Sequence, residues 1–438
     1  MPAFIKRVLI VSPHFPPINA PDHQRIRTAL PFFNEFGWQP CVLAVQTKYV
    51  EGISDPLLEK TIPASTGVVR ARALPQRWTR LFGMGSVALR ALPFLWSAGG
   101  KLLRNERGFD LIFFSTTMFP VLILGPLWKR KYGIPYVVDY QDPWHSDYYK
   151  RTHTTPPGGR LKYWVSCLVA RVFEPLVVRS ADEFVVVSKK YEEELLKTYA
   201  FLRRDQFTTL PFGAPELDFE LLRQLRNTPK PAGAKRFFEI VYMGAAGPFM
   251  APIFRLFFSA VMRSREKNPS LWQTVRFKFI GTSYAPAGRA KRVVEPIAIE
   301  FDLQDIVEEQ TDRVPYFDAL AAICRADGLL IIGSESSSYS PSKVFPYVLA
   351  RRPTLAILHR DSPAVEILGH CRAANIIEFD EDKHSPTSGI DLSLAEFMRD
   401  VETGTQPSVD WSAFSKYSAR EMTRKLVAVF NRAADKRG

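Results

Sequence analysis

What most constrains this chain is an alternation of short, apolar, β-branched runs with amphipathic helical stretches, played through twice. Residues 7–12 form a strand-like run that ends in a proline-rich loop, 13–21. A helical pattern follows at 23–36, stopped by Gly37, and a second strand at 39–45. Strand, loop, helix, strand is the opening of a parallel doubly wound sheet. The rhythm continues through strands at 111–115, 135–139, 183–188 and 207–211, with helices at 121–132, 161–180 and 191–199. Gly213, Pro215, Pro229, Pro231 and Gly233 then punctuate residues 212–236, which read as a domain boundary. Beyond it the alternation restarts: strands at 238–243, 276–280, 306–308, 328–332 and 354–358, and helices at 252–266, 290–301, 316–326 and 342–350, with another from 364.

The expectation is an α/β chain of two tandem Rossmann-like domains, residues 1–212 and 213–410, whose strand C-termini face a shared cleft. An amphipathic helix at 411–434, in a closing segment 411–438, is expected to cross back onto the first domain. The 438 residues exceed one ordinary core, and 46% hydrophobic with 24% charged residues is globular composition. The net charge of +13 suits a polyanion such as a nucleotide or an anionic membrane surface, and equally an ordinary solvated surface. Cys41, Cys167, Cys324 and Cys371 are far apart and in apolar contexts, which reads as free buried thiols in a reducing cytoplasm. The first apolar run stops at Pro13 without a cleavage site, so no signal peptide is expected, and no run reaches the roughly 18 residues that span a bilayer.

Two clusters carry candidate chemistry. Ser340-Pro-Ser-Lys343 opens a helix with small polar residues and one lysine, which suits a diphosphate; an ordinary serine cap with a solvated lysine fits the same residues. Gly244 and Gly247 follow the first strand of the second half, where glycine permits either close approach of a ligand or a plain turn. Asp142 ends a strand beside Pro143 and Trp144 and can orient a hydroxyl or stabilise developing positive charge; an aspartate turn cap before proline is the alternative. His145 can share that work, whereas Asp139 is expected to point inward. There is no GxGxxG fingerprint, P-loop or Cys/His cluster, so dehydrogenase, kinase and metal-site readings lose ground, and no recognised nucleic-acid module is present.

Four stretches resemble glycosyltransferase family 4, a group of retaining enzymes of the GT-B fold. They are the opening strand and loop, residues 8–17; Val138-Asp-Tyr-Gln-Asp-Pro-Trp144; residues 180–188 with the Tyr-Glu-Glu-Glu-Leu helix after them; and residues 341–350. The resemblance implies a nucleotide-sugar donor, a sugar or lipid-linked acceptor in cell-surface or exopolysaccharide assembly, and no metal or other cofactor. It implies donor contacts from Ser342 and Lys343, from Gly281, Thr282 and Pro315 around the base, and from Arg255 on the phosphates. It sets His14, Arg25 and Trp144 on the acceptor side. One departure is Pro346, where the family has a glutamate for the donor ribose; Glu335 or another acceptor has to substitute, or donor binding is altered or lost. A scaffold without activity and a nucleotide-sugar epimerase share the fold and remain alternatives. Residues 77–107 mix basic and bulky apolar side chains and read either as an interfacial segment on the inner face of the plasma membrane or as an ordinary packed helix.

Overall fold

The computed structural model describes residues 5–76, 85–104, 108–144, 160–225, 237–283, 285, 288–334, 343–380 and 387–436. The chain divides into two compact units, Met1–Gly213 with Ala419–Gly438, and Ala214–Ser418.

The first unit is built on seven strands: β1 (Lys6–Val11), β3 (Trp38–Val45), β5 (Gly67–Ala71), β6 (Leu111–Ser115), β7 (Tyr136–Tyr140), β8 (Glu183–Val186) and β9 (Phe207–Thr209). They pair in parallel in the order β5-β3-β1-β6-β7-β8-β9. A short antiparallel pair, β2 (Ile18–Asn19) and β4 (Ile53–Ser54), braces the loop after β1. Strands β6 and β7 are buried along their whole length, as continuous apolar runs demand when helices cover both faces. Alternation sorts their neighbours: Leu9 and Val11 of β1 face one core layer, Val8 and Ile10 the other.

The layer under Val8 and Ile10 is closed by helix Ala419–Asp435. Its Phe430 stacks on Phe33 at 5.8 Å and meets Trp38 and Phe113 edge-on at 5.4 and 5.0 Å. Arg432 and Lys436 bind the Glu183 carboxylate at 3.0 and 2.7 Å. The continuous helix expected at 411–434 is broken: Trp411–Ser415 is a separate short helix, and residues up to Ser418 belong to the second unit.

The helix expected at 23–36 is also interrupted. After Gln24–Ala29, the chain tightens into a 3₁₀ stretch, Leu30–Phe36, at Pro31. Proline lacks the N–H that an α-helix needs there and crowds the preceding turn. Gly37 ends the stretch at φ +77°, a left-handed conformation that glycine adopts without strain.

One face of helix Val87–Leu103 packs as an ordinary helix does. Val87, Ala88, Ala91, Leu95 and Leu103 are in the core, and buried Arg90 donates to the Leu74 and Tyr49 carbonyls at 2.8 and 3.0 Å. Leu92, Phe94 and Trp96 are partly buried against the same core. The rest of the basic and apolar stretch 77–107, residues 77–84 and 105–107, lies outside the described residues.

The second unit repeats the plan with β10 (Phe238–Met243), β11 (Val275–Ile280), β12 (Val307–Gln310), β13 (Gly328–Ile332), β14 (Thr354–His359) and β15 (Asn375–Phe379), paired in parallel in the order β12-β11-β10-β13-β14-β15. Counted within the sheet, this is 3-2-1-4-5-6, and the direction of winding reverses between β10 and β13. The crevice beyond the strand C-termini at such a reversal is where open α/β sheets take their ligands. In the first sheet the reversal lies between β1 and β6.

Candidate functional site

In the second unit, the reversal point holds Lys343. It is the last residue before helix Val344–Ala350, in the connection that leaves β13. Its stem is partly exposed, but Nζ is buried and has no hydrogen-bond partner among the described residues. The ammonium lies 3.4 Å from the centroid of the Tyr242 ring, in the last turn of β10. Burial holds its pKa well below the usual lysine value.

Two tyrosines lock this corner. Tyr242 donates from its hydroxyl to the Ala245 carbonyl at 2.7 Å, which fixes both the ring under the lysine and the loop after β10. Tyr347, one helical turn beyond Lys343, accepts from the Met243 amide at 2.9 Å and ties the helix to the strand end. Gly244 turns the chain there at φ +119°, a region closed to most side chains, and an added Cβ would lie 3.7 Å from Lys343 Nζ. The outcome is a buried amine held over an aromatic face, its charged form disfavoured, with glycine backbone beside it and, among the described residues, no carboxylate paired with it. Such a site is made for an anion.

The remaining donor-side expectations divide. Gly281 does turn the chain at φ +74° after β11. Pro315 is half-buried and precedes helix Tyr316–Arg325, whose Tyr316 hydroxyl donates to Asp218 at 2.7 Å. Gly247 answers to packing, because a Cβ there would strike the Phe249 ring at 2.3 Å. The Thr282 hydroxyl is committed inward, donating to Glu309 at 2.6 Å. Glu309 in turn caps helix Val294–Ile299, accepting from the Val293, Val294 and Glu295 amides. Arg255, expected on a phosphate, is instead held on the surface by Glu300 through two bonds of 2.8 Å. Ser342 and Glu335 lie outside the described residues, while Pro346 stands in the first turn of the lysine's helix.

In the first unit, the loops after β1, β6 and β7 bring a second group together. The Asp22 carboxylate, buried, accepts from His14 Nδ1 at 3.0 and 3.1 Å and from the Thr116 hydroxyl at 2.9 Å. Burial alone would raise its pKa, but the His14 bond and charge, with Thr116, outweigh burial and keep it low. An ionised Asp22 fixes the His14 tautomer with the proton on Nδ1, and among the described residues nothing pairs with Nε2. Asp142, after β7, is an exposed residue, but the surrounding protein crowds its carboxyl and takes part of its water away. Its pKa is pushed up to about 6, first by that loss of water and then by repulsion from Asp22. Burial first, and then repulsion from Asp142 and Glu194, pushes the Tyr191 hydroxyl up to about 12. This corner therefore offers an oriented imidazole and a carboxyl that changes charge close to neutral pH, a combination suited to moving a proton from a hydroxyl.

Two acceptor-side expectations need correction. Arg25 is buried and fully used inside the unit: Nε donates to Asp139 at 2.9 Å, and its two terminal nitrogens to the Pro211 and Leu210 carbonyls at 3.0 and 2.8 Å. Asp139 points inward as expected and also accepts from Ser115 and Gln141. Trp144 is buried and stacked on Phe119 at 5.4 Å, so it packs and does not line a site. His145 lies outside the described residues. The residues that sequence reading missed are Asp22, Thr116, Tyr191 and Tyr242. A carboxylate eight residues after a histidine in one proline-rich loop was the available signal for Asp22.

Residues 32–213 match the family model of the glycosyl transferase 4-like domain. No curated protein matches the chain in sequence. Among solved structures, a UDP-forming α,α-trehalose-phosphate synthase from Burkholderia xenovorans is similar at TM-score 0.61 and 12% identity, covering 98% of this chain and 99% of that one. An E. coli trehalose-6-phosphate structure bound with UDP-2-fluoro glucose gives 0.59 and 11%, covering 97% and 99%. A UDP-N-acetylglucosamine 2-epimerase gives 0.51 and 12%, covering 97% and 94%. At these identities the likeness is one of fold. Residues 32–213 thus match a glycosyl transferase 4-like domain, and the chain as a whole, with its two parallel-sheet units, shares the fold of these structures.

Proposed function

We propose that the chain transfers a sugar from a nucleoside-diphosphate donor, and that Lys343 binds the donor diphosphate. The observation that carries this is the buried Nζ without a partner at the reversal point of the second sheet. A diphosphate supplies the charge that this ammonium lacks, and charge-assisted bonds in a dehydrated corner are strong. The Gly244 turn lets the phosphates approach, and the Gly281 and Pro315 loops are the candidates for holding the base. In place of the family's glutamate, Pro346 offers the ribose no acceptor, so ribose recognition falls to backbone or to Glu335.

On the acceptor side, Asp142 and the Asp22-oriented His14 manage the hydroxyl that attacks, with His145 as a further candidate. We infer a retaining transfer of a hexose-type sugar that needs no metal, to a sugar or lipid-linked acceptor in cell-surface or exopolysaccharide assembly, at the cytoplasmic face of an anionic membrane. The family resemblance and the basic charge support this finer reading. Calorimetric titration with UDP and GDP, in the wild-type protein and in Lys343→Met, tests the core of it. Binding of at least one diphosphate, weakened about 10- to 100-fold in the variant, is expected from the loss of one charge-assisted contact. Equal binding by both proteins defeats the assignment. Incubating the protein with UDP- and GDP-sugars, with and without acceptor extracts, separates transfer from epimerisation, because an epimerase converts the donor without any acceptor.

A further inference from the structure

Helix Arg160–Ser180 leaves a long apolar stripe uncovered. Trp164, Leu168, Val172 and Leu176 recur every fourth residue and are 61%, 48%, 51% and 51% exposed, with Val165 beside them. At 3.6 residues per turn these side chains share one face of the helix. Phe201, also exposed, extends the patch at the helix end, where the Arg179 guanidinium lies over its ring at 5.2 Å.

The charges on this helix are one-sided. Arg160, Lys162, Arg171 and Arg179 are basic, and Glu174 is the sole acid. Glu174 is turned away from the stripe: it is buried and accepts from the Tyr140 and Tyr199 hydroxyls, each at 3.0 Å. Arg171 and Arg179 are exposed with the apolar residues. No helix among the described residues is long and apolar enough to cross a membrane. An apolar stripe with a tryptophan, bordered by arginines and free of exposed acids, matches a helix lying in the plane of an anionic lipid surface.

We propose that this face of helix Arg160–Ser180 docks the protein on an anionic membrane leaflet. This deepens the membrane part of the proposed function and rests on it, but not on the donor site. The stripe enters the boundary between headgroups and acyl chains, while Arg171 and Arg179 meet lipid phosphates. The helix does this work in place of residues 77–107, whose described helix packs one face against the core.

The test is vesicle co-sedimentation of the whole chain, with vesicles of phosphatidylglycerol mixed into phosphatidylcholine and of phosphatidylcholine alone. The wild-type protein is expected to bind the anionic vesicles, more weakly as salt rises, and the neutral ones at least tenfold less. Trp164→Ser with Leu168→Ser and Leu176→Ser is expected to lower binding at least tenfold. Because these side chains are exposed, the variant keeps its melting temperature and its UDP and GDP titration, so that loss of docking is separable from loss of fold or donor site. Arg171→Gln with Arg179→Gln is expected to remove most of the preference for anionic lipid. Unchanged binding by the serine variant, no vesicle binding by the wild-type protein, or a dimer that the serine variant dissolves each overturns the proposal; the last means that a second copy covers the stripe.

Discussion

Replacing Lys343 by methionine puts stability and binding in opposition. Methionine keeps the length and fits over an aromatic ring, but carries no charge. An unfolded chain titrates its lysines near 10.4, so at pH 7 keeping the neutral amine costs the folded state about 1.36 × 3.4, or roughly 4–5 kcal/mol. That is the ceiling on the penalty at Lys343, since shedding the proton is always open to it. The Tyr242 face returns up to about 2 kcal/mol to the charged form. The variant is therefore expected to be more stable than wild type at pH 7 in the absence of nucleotide, by no more than that ceiling, and to melt at a higher temperature.

The pH dependence has a definite sign. The folded-state pKa lies below the unfolded one, so the unfolded chain binds more protons between them and wild-type stability rises with pH in that window. The advantage of the variant thus shrinks as pH approaches 10. The assay is thermal unfolding of both proteins at pH 7 and 9.5, followed by UDP and GDP titration. Diphosphate restores the charged ammonium, so wild-type binding takes up protons, which titrations in buffers of different ionisation heat measure; the variant takes up none. A variant that melts at or below the wild-type temperature at pH 7, or that binds diphosphate as tightly, refutes a stored, uncompensated charge at this corner.

Three further outcomes follow from the rest of the site. Asp142→Asn removes a carboxyl whose pKa is about 6, so the acid limb of the transfer rate near pH 6 is expected to vanish with it, at a much lower rate; its raised pKa also means that the ionised form costs folded stability above pH 6 and nothing below about pH 4, and for so exposed a group the gain on substitution is about 1 kcal/mol or less. Arg25→Met leaves Asp139 buried without its cation and is expected to cost the first unit about 3–5 kcal/mol in urea unfolding; a variant of normal stability that has lost only acceptor affinity returns Arg25 to the acceptor side. Thr282→Val breaks the bond to Glu309 and is expected to cost about 1–3 kcal/mol while diphosphate affinity stays within twofold.

Much of the fold was legible because it depends on period. The runs at β6, β7, β13 and β14 are mostly apolar and buried throughout, as in strands covered on both faces. Gly37 and Gly133 end their helical stretches at φ +77° and +66°, as glycines after a helix are expected to. Two of the features that were missed lacked a period of their own, unlike helix Thr387–Thr403, also missed, whose buried Ile390, Leu394, Phe397, Met398 and Val401 recur at helical spacing. The strand Gly67–Ala71 is short and only partly buried, and it exists because β3 offers it an edge. The break between Ser415 and Ala419 does not interrupt the apolar spacing of residues 411–434; it falls where the chain passes from one unit to the other.

The candidate site was legible as residue types and illegible as partnerships. Lys343 stood out in the sequence at the head of a helix and Thr282 in the loop after a strand, and neither neighbourhood reveals which of the two is left unpaired. The difference lies in Glu309, distant from Thr282 in sequence but on the adjacent strand β12, where it takes up the hydroxyl and leaves none for a ligand. Arg25 and Arg255 fail for the same reason, each being answered by a carboxylate far along the chain, Asp139 and Glu300. A polar side chain that folding satisfies is structural, and one that folding buries beside an aromatic ring without an anion is left with a free-energy deficit that a ligand can remove. By that criterion Lys343 alone among the basic residues expected at the donor site retains an unmet demand. It is therefore the residue at which donor binding and fold stability have to be traded against each other.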